Sequence, residues 1–193
     1  FWRMCKIDQH SLYQSIKNYH GRISKITFKN MQNSIKKNEE KLIMATYYFV
    51  INRCSFNGST LSGGFSKEAS KKRFTYKSTE KIAHLNLDNF EISNKDFEEF
   101  INENTCEKSF IFLDPPYFLN ENSKLYGFRG DMHKGFCHEK LFELLSKRKN
   151  WLLTYNNCPF IKNLYKDFQI IETNWSYAMN KDKKSSEIII IGK

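Results

Sequence analysis

The stretch that decides the fold is Ser109-Phe110-Ile111-Phe112-Leu113-Asp114-Pro115-Pro116-Tyr117. Residues 109–113 are a continuous, largely apolar run of strand length, and Asp-Pro-Pro ends it. In open α/β sheets, ligands bind beyond the carboxyl ends of strands, which is where this loop lies. Two successive prolines fix φ and remove two backbone donors. Asp114, preceding a proline, is pushed out of the α region. The outcome is a stiff loop holding one carboxylate, one bare carbonyl and one aromatic ring in fixed relation.

Downstream, the pattern alternates between helix and strand. Residues 137–149 read as a helix with Leu141, Leu144 and Leu145 inward, and Lys147, Arg148 and Lys149 at its negative end. Strands follow at 151–154 and 168–173, separated by a short helix at 159–165, and Ser-Glu-Ile-Ile-Ile-Ile (186–191) is the last strand. Apolar strands separated by helices argue for a mainly parallel sheet covered on both faces. Residues 174–185 carry no helical pattern, so the last two strands read as an antiparallel hairpin. Just upstream, 88–93 read as a short strand and Asn94 as the cap of a helix with Phe97, Phe100 and Ile101 inward.

The first half has a different texture. Residues 8–19 read as a helix with Leu12, Ile16 and Tyr19 on one face, and 27–51 as one longer helix. Residues 52–66 are rich in Gly, Ser and Asn and read as a loop. Lys67, Lys71, Lys72, Arg73 and Lys77 follow, interleaved with Phe74 and Tyr76.

Composition bounds the function. The chain has 193 residues, enough to bury a real core; 40% are hydrophobic and 27% charged, which excludes collagen-like and disulfide-scaffold classes. The apolar runs are too short to span a bilayer. Lysine and arginine total 31 against 21 acidic residues, a net charge of +10 that favours a polyanionic partner, most simply nucleic acid. Cys5, Cys54, Cys106, Cys137 and Cys158 are scattered and odd in number, which suits reduced thiols in a cytoplasmic setting. His133, Cys137 and His138 lack a fourth ligand at useful spacing, so no metal site is expected.

The loop at Asp114 has a specific chemistry open to it. The exocyclic amine of adenine is a poor nucleophile because its lone pair is delocalised into the ring. A carboxylate and a carbonyl that each accept one N–H localise that pair. An aromatic ring stacked on the base offsets the cost of drawing it from a duplex. The amine then attacks an electrophilic methyl group, and positioning with electrostatics suffices.

Asp114-Pro115-Pro116-Tyr117 resembles the catalytic motif of the DNA adenine-N6 methyltransferases, and the flanking pattern is similar to their Dam-like group. The further segments that carry the resemblance are Asn52-Arg53-Cys54-Ser55-Phe56-Asn57-Gly58, Gly135-Phe136-Cys137-His138-Glu139-Lys140-Leu141, Trp151-Leu152-Leu153-Thr154-Tyr155-Asn156 and Ser185-Ser186-Glu187-Ile188. The resemblance implies an α/β fold: the C-terminal half of a Rossmann-like S-adenosylmethionine-dependent methyltransferase sheet with an inserted, mostly helical target-recognition region. It divides the chain into a core helix at 1–21, a DNA-binding region at 22–87 and a catalytic half at 88–193.

The resemblance further implies that Asp114 and the Pro115 carbonyl bind the target amine, that Pro116 stiffens the loop, and that Tyr117 stacks on the flipped adenine. Asp114, Asp96 and Phe97 would face the donor, S-adenosylmethionine. Arg53, Asn57, Lys67, Lys71, Lys72, Arg73 and Lys77 would face double-stranded DNA. Tyr155, Asn156 and Asn157 are candidate pocket walls, and Lys181, Lys183 and Lys184 belong to the last hairpin loop. A Phe-x-Gly-x-Gly donor loop and an acidic ribose-binding strand end are not found, and Phe1-Trp2-Arg3 resembles the helix that follows them. An N-terminal truncation, or a missing segment on another subunit, is the expectation, with a fragment inactive by itself. A restriction endonuclease is an implied associate. The alternative function is a non-catalytic nucleic-acid-binding protein or one half of a split methyltransferase.

Overall fold

The computed structural model describes residues 1–35, 37, 39–104, 106, 108–119, 132–176 and 184–193. The described chain forms two compact units, one of residues 1–93 and one from residue 94 onward.

The first unit is helical: α1 (Trp2–Ile7), α2 (Gln9–Lys17), α3 (Lys25–Ser34), α4 (Lys41–Cys54), α5 (Lys67–Lys72) and α6 (Tyr76–Ala83). Short polar caps start four of them. Asp8, Ser24, Ser66 and Thr75 accept from backbone N–H groups of the first turn, and Ser78 reciprocates to Thr75 in a capping box. Leu12 and Ile16 of α2 and Val50 and Ile51 of α4 are fully buried. Burying each contributes about 1.5–3 kcal/mol. The Thr46–Ser15 hydroxyl bond (2.9 Å) adds only about 1 kcal/mol, so apolar burial holds α2 against α4.

The single helix expected over 27–51 is two, α3 and α4. The intervening Lys-Lys-Asn-Glu-Glu (36–40) offers no apolar side chain to bury, and α3 instead packs Phe28, Met31 and Gln32 into the core. The strand expected at 88–93 does not form. Asn86 accepts from the Asp88 N–H and Leu87 O from the Phe90 N–H, turning the chain there.

The second unit is α/β: α7 (Phe97–Glu103), β1 (Ile111–Leu113), a 3₁₀ turn at Met132–Gly135, α8 (His138–Ser146), β2 (Trp151–Asn156), α9 (Pro159–Leu164), β3 (Gln169–Ser176) and β4 (Lys184–Gly192). The described sheet has the order β1-β2-β4-β3. Only β1 and β2 are parallel; β2–β4 and β3–β4 are antiparallel, so the expected hairpin is present while the mainly parallel sheet is not. Trp151, Leu153, Tyr155, Ile188 and Ile190 form the buried face, with Ile101, Leu141, Leu145 and Ile161 from the helices. On β1, Phe112 is 64% exposed, so the second covering layer expected from the apolar runs is not seen among the described residues.

Two helix ends depart from expectation. Asp96, not Asn94, caps α7, and Phe100 points outward while Phe97 and Ile101 pack inward at i, i+4 spacing. The basic triplet lies beyond α8; Arg148 donates to the carbonyls of Ile101 (2.9 Å) and Asn104, closing α7 instead.

Candidate active site and nucleic-acid interface

Asp114 begins the loop at the carboxyl end of β1, and β2 fastens that loop at two points. Alternation along β2 buries Trp151, Leu153 and Tyr155 and turns Leu152, Thr154 and Asn156 to the opposite face. Thr154 Oγ1 donates to Asp114 Oδ1 at 3.0 Å and approaches the Leu113 carbonyl at 3.3 Å. Asn156 Nδ2 donates to the Phe118 carbonyl at 2.9 Å. Its Oδ1 is buried and has no hydrogen-bond partner among the described residues. Asp114 is exposed, while Pro115, Pro116 and Tyr117 are half-buried. The carboxylate therefore has a fixed orientation and still faces solvent.

An aromatic layer supports the loop. Tyr117 lies 6.2 Å from Tyr155, and Phe118 stacks on Phe160 at 4.5 Å. Between them sits buried His138, edge-on to Phe118 and Phe136. His138 Nδ1 and the Tyr155 hydroxyl form a 2.6 Å hydrogen bond. Burial depresses the His138 pKa and raises that of Tyr155, so both stay neutral near pH 7. Phe97 joins this layer through Phe136 at 5.0 Å. Asp96 Oδ1 accepts from the Glu98 N–H at 2.9 Å as the cap of α7. Of the candidate pocket walls, Asn157 Nδ2 bonds Ser186 Oγ at 2.8 Å and Glu172 at 3.2 Å.

The candidate DNA residues lie on the first unit and divide into groups. Arg53, in the last turn of α4, sits over the Phe49 ring at 5.3 Å. Arg73 caps α5 and donates to the Asn52 carbonyl. Asn57 is exposed at the tip of a tight loop with φ of 51°. That loop is tied by Gln32 to the carbonyls of Thr60 (2.9 Å) and Gly63 (2.7 Å), and by Asn52 to Gly58 O (3.2 Å). Lys67 and Lys71 line a cleft of about 350 Å³ with Ile23, Ser24, Phe65 and Phe74. Lys72 is paired with Glu68 at 2.7 Å. Lys77 is exposed in the first turn of α6. Lys184 opens β4, while Lys181 and Lys183 fall outside the described residues.

Sequence reading assigned no role to Thr154, His138 or Phe118. Period-two alternation on β2 signals Thr154, because it shares a face with Asn156. Nothing local signals the His138–Tyr155 bond, which spans 17 positions. The stack of Phe74, His20 and Tyr76, with ring centroids 4.3 and 4.1 Å apart, is equally non-local and leaves Tyr76 66% exposed beside Lys77.

No curated protein matches the chain. The model of the D12 class N6 adenine-specific DNA methyltransferases matches residues 1–179. A proline-stiffened carboxylate at a strand end, on a chain matched over most of its length, means that this protein belongs to the D12 class N6 adenine-specific DNA methyltransferase family.

Proposed function

We propose that the protein transfers a methyl group from S-adenosylmethionine to N6 of an adenine within a specific double-stranded DNA sequence. The observation that carries this reading is the fixed, exposed carboxylate of Asp114, with Oδ1 taken by Thr154. Its other oxygen is turned to one N–H of the target amine, and the Pro115 carbonyl takes the second. The two prolines contribute no N–H of their own, so no neighbouring backbone donor at those positions competes for the acceptors. Tyr117, braced by Tyr155, offers its ring to the extruded base. The amine nitrogen forms the new bond to carbon and afterwards gives up one proton to solvent.

The side chains present suit the methyl end of the donor, because an exposed carboxylate complements a sulfonium. S-adenosylmethionine supplies the electrophilic methyl and a neutral thioether as leaving group. Asp114 would lie against that methyl, and Asp96 and Phe97 are the candidates for the adenosine side. Phe97 is largely committed to packing and Asp96 to its cap, so the adenosine contact of this pair would be shallow.

The test is methyl transfer to DNA by the intact protein, with base capture followed separately by 2-aminopurine fluorescence. Asp114→Ala is expected to lower turnover at least 10²–10³-fold, the scale on which one preorganised polar contact matters, while DNA binding persists. Tyr117→Ala is expected to cost roughly 1–3 kcal/mol of base capture. Wild-type turnover by Asp114→Ala would rule the assignment out.

A further inference from the structure

The cleft of the helical unit combines positive charge with apolar surface. It holds about 350 Å³, and none of its lining residues is acidic. Lys67 and Lys71 both line it from α5, one helical turn apart, although like charges at that spacing repel. Among the described residues neither lysine takes part in an ion pair. Glu68, the one acid of α5, is taken by Lys72 at 2.7 Å, and neither of these two lines the cleft. Ser24 lines it from the cap of α3, whose first turn carries no acid either. Ile23, Phe65 and Phe74 supply the apolar lining. These walls are fixed. Phe74 is buried, stacked on His20 at 4.3 Å and edge-on to Phe49 at 6.4 Å. Phe65 packs against Phe28 at 5.7 Å. The Ser66 N–H donates to the Cys54 carbonyl at 2.8 Å and the Ser66 hydroxyl caps α5, which anchors the start of that helix.

Two lysines on a concave wall without acids draw an anion to it. A small inorganic anion gains nothing from Ile23, Phe65 and Phe74. A phosphodiester brings deoxyribose carbons with it, so one unit of DNA backbone matches both the charge and the apolar lining. The volume lies at the small end of ligand sites, about 300–1,000 Å³, which suits a single nucleotide unit. We infer that this cleft seats one backbone phosphodiester of the DNA, with Lys67 and Lys71 on the phosphate and its deoxyribose against Ile23 and Phe65. The inference rests on the proposed DNA-directed function and narrows it: the contact holds the duplex in place and reads no base. It also sets the two cleft lysines apart from Lys72, which Glu68 already holds.

The test measures the affinity of the intact protein for a short duplex across a salt series. Replacing both lysines, Lys67→Gln with Lys71→Gln, should reduce the slope of log K against log salt by about 1.8, or about 0.9 for each lysine. The melting temperature of this variant should not fall, because a like-charge pair is relieved. Lys67→Arg with Lys71→Arg should keep the wild-type slope. Ser70 also lines the cleft, between the two lysines on α5. Ser70→Phe fills the cleft with the charge unchanged and should still lower the slope by about 0.9 or more, as the phosphate is kept out. An unchanged slope in the double Gln variant, with DNA still bound, would overturn the seat and leave the DNA reading standing. So would a Gln effect without any effect of a folded Ser70→Phe, because the lysines would then act from the open surface and not through the cleft. Wild type that binds no duplex would overturn both; a melting temperature raised by inorganic phosphate in that case would mark a small-anion site instead.

Discussion

Thr154 shows how one hydroxyl sets the direction of the carboxylate proposed for catalysis: without its donor, Asp114 could rotate about its own side-chain bonds. The His138–Tyr155 bond works one layer deeper, beneath Tyr117 and Phe118. Tyr155→Phe keeps the ring that braces Tyr117 but strands His138 Nδ1. It should destabilise the fold by about 1–3 kcal/mol in a denaturant melt, the cost of a buried group left unpaired. His138 also makes stability depend on pH. Burial lowers its folded pKa, so the unfolded chain binds the extra proton first. Stability is therefore complete above the ordinary histidine value of about 6.5 and is lost as pH falls through it. His20 is shifted the same way, by burial. Melting temperatures measured from pH 7.5 to 5 should decline, and less steeply in His138→Gln and in His20→Gln than in wild type. A flat wild-type profile would contradict this account.

Among the elements, β2 does most to connect fold and site. One face of it builds the core, and the other ties down both ends of the 114–118 segment. Its first residue, Trp151, pairs in register with Gly192 of β4. A Cβ at residue 192 would lie 2.1 Å from Cε2 of that fully buried indole. The indole has no room to withdraw, because its Nε1 also donates to the Leu145 carbonyl at 2.9 Å. Gly192→Ala should therefore cost about 3 kcal/mol, the upper end of the overpacking range, read as a shifted denaturation midpoint. Strand β1 has one neighbour among the described residues, and Phe112 on it and Phe110 just before it are exposed. Such an edge favours pairing with another strand.

At the scale of the molecule, the basic charge and the carboxylate sit on different units. The arginines and cleft lysines belong to the helical unit, and Asp114 to the α/β unit. Each unit has its own buried cluster, and residues 85–96 join them without regular structure. Limited proteolysis should cut first within that connection and yield a helical fragment that keeps its circular dichroism. Cleavage beginning inside α2 or α4 would show that the first core does not hold by itself. Among the described residues no helix is long and apolar enough to cross a membrane.

The sequence by itself determined the candidate catalytic loop, because Asp114-Pro115-Pro116-Tyr117 is shaped by bonds and φ restrictions that need no distant partner. It also determined α2 and α8, through apolar spacing. Residues 27–51 misled because helical periodicity continues on either side of a break, and nothing local registers which stretch has a surface to bury against. The antiparallel pairing of β2 with β4, the tie from Thr154 and the neutral His138–Tyr155 pair were decided only by the tertiary structure. The two side-chain bonds join residues 40 and 17 positions apart. Contacts across such separations depend on how buried faces pack, and one-dimensional spacing carries no record of that.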